Sequence, residues 1–174
     1  MKILEFPELR QTYEYDCGAN ALQGILAYYG MEIREELIIK SAKTNKIYGT
    51  SIFWMEKTLE KYNLKFDWKK MTVKDLKKYI DKKIPIIILL QARNWKEVDY
   101  TKDFKDGHRV VAIWYDWEEI IFEDPYSLER TFLSESELKK RRHSKEKNKK
   151  IMNYGIAVYG KKPSYDEDKL IHMD

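Results

Sequence analysis

The sequence predicts an α+β fold in one domain, with an N-terminal helical layer packed on a C-terminal antiparallel sheet. Three observations point there. Early apolar residues recur at three- and four-residue spacing, as on one face of a helix. From residue 84 onward they gather into short β-branched runs instead. A length of 174 residues suits one well-filled core and is short for two. Residues 1–160 read as the domain and residues 161–174 as a polar, loose tail.

Taken in order, a helix opens at Cys17, with Ala21, Leu22, Ile25, Leu26 and Tyr29 along one face, and Gly30 stops it. A second helix lies within residues 33–42, its inward side carrying Leu37 and Ile38, with Ile33 and Ala42 beside them. Thr50 or Ser51 caps a third, striped by Ile52, Met55, Leu59 and Tyr62. Residues 64–68 alternate like a half-buried strand, and Thr72 with Asp75 is a start signal for a short helix to about residue 81.

Residues 84–91, IPIIILLQ, form a continuous apolar run, as in a strand buried on both faces. The polar residues 94–107 read as a long loop of the kind that is functional or mobile, with Trp95 at a cleft wall. Residues 109–115, RVVAIWY, are a strand that turns at 116–118 into a return strand over 119–123, which Asp124-Pro125 ends. A further strand near residues 130–132, a capping signature at Ser134 and Glu137 before Leu138, and a last strand over 154–159 complete the sheet.

Composition narrows the function classes. With 33 basic residues against 29 acidic ones the net charge is only +4, which does not call for a nucleic-acid or membrane partner. Lys139 and Lys150 bound a run with eight basic residues in twelve. No aromatic stacking platform accompanies it, so it reads as a solvated helix and loop, His143 included, and nucleic acid is an unfavoured partner. One cysteine cannot form an internal disulfide, residues 1–11 lack a secretory apolar run, and no stretch approaches the ~20 apolar residues of a membrane helix. The expectation is a cytoplasmic protein.

Cys17 stands where a polar, turn-prone run becomes a helix. A thiol in a first helical turn meets unpaired N–H groups that favour its anion, although a lone cysteine is also a common small core residue. A nucleophile needs a base, a group to orient the base, and donors for an oxyanion. Of three histidines, His108 directly precedes a strand, whereas His143 lies in a charged run and His172 in the tail. An antiparallel hairpin over residues 109–123 carries Asp124 back beside His108, where its carboxylate can hold the ring N–H; Asp-Pro is equally a plain turn signal. Gln11, six residues before Cys17, can donate its amide to an oxyanion together with the Cys17 backbone N–H.

Gln11 with DCGANAL through Leu22, GTS at 49–51, IPIIILL at 84–90, GHRVVAI at 107–113 and DPYS at 124–127 follow one another in an order that resembles papain-like cysteine peptidases. More narrowly, residues 9–159 are similar to the bacteriocin-processing peptidases that cut leader peptides after a double glycine. The resemblance implies a papain-like fold and a cysteine peptidase with Cys17 as nucleophile, His108 as general base and acid, Asp124 as orienter and Gln11 as oxyanion donor. It implies a peptide or protein substrate and no metal or organic cofactor. The family's exporter-fused members continue into membrane helices, so a stand-alone form is expected. The same residues also serve amidases, deamidases and transglutaminase-like enzymes. A catalytically silent papain-like domain that binds a peptide or protein, and a basic binding module working through the Lys139 run, are the readings from other classes.

Overall fold

The structure, a computed structural model, describes residues 3–93, 98–146 and 149–173. Three helices come first: α1 (Cys17–Tyr28), α2 (Glu35–Ser41) and α3 (Ile52–Lys61). Then follow β1 (Lys65–Lys70), α4 (Val73–Asp81), β2 (Ile86–Gln91), β3 (Gly107–Asp116), β4 (Glu119–Glu123) and β5 (Thr131–Ser134). The chain closes with α5 (Glu135–Arg141), β6 (His143–Glu146), β7 (Lys149–Met152) and β8 (Tyr154–Tyr159). Six strands form one antiparallel sheet in the order β1-β8-β2-β3-β4-β5, and β6 and β7 pair separately as a hairpin.

The sheet is covered on both faces. Ile87, Val111, Ile113, Ile156 and Val158 pack against Leu22, Ile25, Met55 and Leu59 of the first three helices. The alternate residues Ile86, Ile88, Leu90, Val110 and Ala112 pack with Leu76 and Ile80 of α4 and Leu138 of α5. The period of two along a strand sends neighbours to opposite layers, so β2 and β3 read as unbroken apolar runs. The helical layer expected from the sequence is therefore joined by a second, thinner one on the far face.

Local signals act as their chemistry dictates. The Ser51 hydroxyl accepts from the Trp54 N–H at 3.4 Å to start α3. Thr72 with Asp75, and Ser134 with Glu137, form reciprocal capping boxes on α4 and α5. Gly30, at φ +78, takes the left-handed turn that stops α1.

Three expectations are corrected. Leu37 does not face inward: it is 51% exposed while Ile38 is sealed, because adjacent residues of a short helix diverge by about 100° and α2 meets α1 along one narrow stripe. The basic run is not a solvated helix and loop throughout. It leaves α5 for the β6–β7 hairpin and buries Arg142, His143 and Ser144. The Arg142 guanidinium donates to the carbonyls of Met71 at 2.7 Å and Asn153 at 2.9 Å, so long-range backbone acceptors replace its water. The tail is fastened where Ser164 and Tyr165 donate to the Tyr28 carbonyl at 3.1 and 3.3 Å, and Tyr165 packs on the first core. Trp95, expected at a cleft wall, lies outside the described residues.

Candidate active site

The site forms where the sheet runs out. β4 pairs with β3 only from Val111 onward, so Gly107, His108 and Arg109 have β2 on one side and no strand on the other. The N-terminus of α1 meets that free edge, which puts the Cys17 thiol within electrostatic reach of the His108 ring and of Arg109. The return of β4 carries Asp124 to the same place, with His108 Nε2 and Asp124 Oδ1 2.7 Å apart. Cys17, His108 and Asp124 are 7%, 6% and 6% exposed, so the three lie in line and nearly out of water.

Charge then follows from the contacts. Burial alone would push the His108 imidazolium down, yet its hydrogen bonds to Asp124 and Cys17 outweigh burial and lift it from 6.5 to about 9. Burial would raise Asp124, but His108, the Tyr126 N–H and Arg93 hold it down at about 2. Burial would likewise raise Cys17, and His108 and Arg109 reverse that, leaving the thiol below its ordinary value. The first turn of α1 adds its dipole in the same direction. His108 Nε2 has its partner in Asp124, and the other side of the ring faces the Cys17 thiol. The arrangement favours the thiolate of Cys17 beside the imidazolium of His108.

Gln11 is placed nearby by its backbone, whose N–H donates to the Pro125 carbonyl at 3.0 Å. Its amide Nε2 is turned to the Tyr13 carbonyl at 2.7 Å, and its Oε1 is buried without a partner. The Tyr13 N–H in turn donates to the buried Asp16 carboxylate, at 3.1 and 3.2 Å to its two oxygens, which folds the approach to Cys17 into a tight turn. The structure thus brings Cys17, His108 and Asp124 together and sets Gln11 beside them with its amide engaged elsewhere.

Two supports escaped the sequence reading. Arg93, two residues beyond β2, pairs with the second oxygen of Asp124 and lies over the Tyr126 ring, which meets His108 edge-on. The Tyr126 N–H at 2.9 Å and the Thr131 hydroxyl at 3.4 Å complete the acceptors' partners, so Asp124 has little freedom to turn. Gln91 is the other support. Its amide donates to the His143 carbonyl and accepts from the Asp106 N–H, each at 2.9 Å, and His143 Nε2 meets the Asp103 carbonyl at 2.7 Å. The hairpin β6–β7 thereby anchors the loop that delivers His108. Neither residue has a local spacing that marks it; only the neighbouring of β2 and β3 could have suggested Arg93.

A lowered thiol beside a raised imidazole, on an α+β scaffold of this kind, is an arrangement compatible with a papain-like cysteine peptidase. Residues 5–141 match the peptidase C39 family, and the chain belongs to that family. Solved structures agree in fold. A C39-like peptidase from Bacillus anthracis superposes with a TM-score of 0.70 at 16% identity, covering 93% of this chain and 98% of that one. The peptidase domain of Streptococcus ComA, a bi-functional ABC transporter involved in a quorum-sensing pathway, gives 0.67 at 19% identity over 87% and 96%. A double glycine motif protease from an AMS/PCAT transporter, solved in complex with its leader peptide, gives 0.67 at 17% over 93% and 94%. Among curated proteins there is no match. The protein is a cysteine-type peptidase.

Proposed function

We propose that the chain hydrolyses peptide bonds with Cys17 as nucleophile, His108 as general base and acid, Asp124 as orienter and Gln11 as an oxyanion donor, all within residues 1–160. The observation that carries this reading is the buried line from Cys17 through His108 to Asp124, with the thiol lowered and the imidazole raised. The thiolate attacks the substrate carbonyl, and the oxyanion takes hydrogen bonds from the Cys17 N–H and the Gln11 amide. Gln11 Nε2 must leave the Tyr13 carbonyl to do so, which makes substrate binding the step that completes the donor pair. His108 gives its proton to the leaving amine, then takes one from water to release the acyl group. Asp124 keeps the ring in place through both transfers.

A leader peptide with a double glycine is the first candidate substrate, because one structural neighbour is a protease of that motif. Among the described residues no helix is long and apolar enough to cross a membrane, and the reading places the enzyme in the cytoplasm, where its single cysteine stays reduced. The test is cleavage of a peptide library by the full chain with Cys17→Ala as control. Cuts that vanish in Cys17→Ala support the reading. Fast alkylation of Cys17 with every peptide left intact would overturn hydrolysis in favour of another thiol acyl transfer or of simple binding.

A further inference from the structure

Arg109 follows His108 and is only 8% exposed, yet among the described residues its guanidinium has neither a hydrogen bond nor an ion pair. Its place is fixed by close packing. A Cβ built on Gly18 would come within 2.9 Å of Arg109 Cδ, so the stem crosses tightly beside the residue next to the nucleophile. The side chain points to the helical side of the sheet and lines a small cavity with Ile52, Trp68, Leu89 and Tyr154. Glu146, the acid that reaches this wall, is committed to the Ile52 N–H at 2.9 Å and forms no ion pair with Arg109.

The stem is packed away, but the guanidinium nitrogens still meet solvent, and their charge favours the Cys17 anion. Among the described residues no carboxylate pairs with this cation, so a ligand can supply one. The cation acts electrostatically on the reacting sulfur and lines a cavity with largely apolar walls. That combination fits an acidic side chain arriving from the cleft, whose carboxylate meets the guanidinium fork.

We propose that Arg109 is a specificity residue that receives the carboxylate of an aspartate or glutamate close to the scissile bond of the substrate peptide. The proposal rests on the peptidase reading and sharpens it from any peptide to one that is acidic beside the cut.

Two arms keep the two readings apart. In the first, the full chain cleaves paired peptides that differ only by Glu against Gln at each position flanking the cut. In the second, the Cys17→Ala protein binds the same peptides, read by fluorescence polarisation, so that recognition is measured even where nothing is cut. The expected result is a preference for the acidic peptide of roughly tenfold to a hundredfold at one position. The preference should fall to near one in Arg109→Gln and persist, weakened, in Arg109→Lys. In Arg109→Glu it should invert toward lysine peptides. Because each outcome is a ratio within one protein, a general loss of activity cancels. Equal handling of Glu and Gln peptides by the wild-type chain in both arms, or a preference untouched in Arg109→Gln, overturns the proposal. Loss of cleavage with acid-selective binding retained would sink the peptidase reading alone.

Discussion

Replacing Asp124 with asparagine removes one charge from the line while keeping its shape. The imidazolium of His108 is held at about 9 instead of 6.5, which corresponds to roughly 3 kcal/mol in favour of the charged ring, shared between Asp124 and Cys17 against the opposing effect of burial. With asparagine the burial penalty is opposed by Cys17 alone, and the ring should return to its ordinary value or below. Two limbs then move. The imidazolium that protonates the leaving amine is lost nearer neutral pH, so the basic limb of kcat/KM falls. The thiolate loses part of its cation, so the acidic limb of Cys17 alkylation by iodoacetamide rises. The window of the reactive pair narrows from both sides, and kcat drops by about a hundredfold or more. Stability follows the same signs. The contribution of Asp124 is present above 3.8 and lost as pH falls through about 2. That of His108 is present below 6.5 and lost as pH rises through about 9. The variant should therefore lose most stability between those limits. An alkylation profile that superimposes on the wild-type curve would refute the electrostatic argument.

Arg93→Gln should lower kcat by about tenfold with a smaller change in KM, because the second oxygen of Asp124 loses the cation that fixes it; Arg93→Lys should recover part of the loss, and the pH–rate profile should show the acid limb moved up. Gly18→Ala places a methyl group 2.7 Å from Thr50 Cβ and 2.9 Å from Arg109 Cδ, so α1 must shift. A loss of about 1–3 kcal/mol in thermal unfolding and slower alkylation of Cys17 are expected together. Thr72→Ala breaks the capping box of α4 far from the site. It should cost about 1 kcal/mol in denaturant titrations and leave kcat/KM unchanged.

Much of the scaffold was legible because its signals are local. The start of α1 at Cys17, the two capping boxes, the IPIIILL strand and the hairpin that returns Asp124 to His108 each follow from residues within one element or one turn. The rest depends on partners distant in sequence. Arg142 and His143 sit in a run whose composition reads as solvated, and only the carbonyls of Met71, Asn153 and Asp103 explain their burial. Arg93 is an ordinary loop residue until β2 and β3 are laid side by side. Leu37 shows the limit of spacing itself, since periodicity marks an apolar side of α2 but not how narrow its contact with α1 will be. The engagement of the Gln11 amide with Tyr13 is likewise a matter of side-chain torsion, which no pattern of residue types encodes.

The position of β8 bears on when the sheet can close. In the sheet it lies between β1 and β2, pairing Ile156 with Trp68 on one side and with Ile87 on the other, although it follows both in sequence. Until residues 154–159 emerge, β1 has no neighbour in the sheet and the outer edge of β2 stays bare. Contacts of such long sequence separation form slowly and late. The elements beside Cys17, His108 and Asp124 all precede β8 in the chain. The two parts of the sheet therefore meet only through a strand that follows both in the chain, which makes their joining a late event of folding.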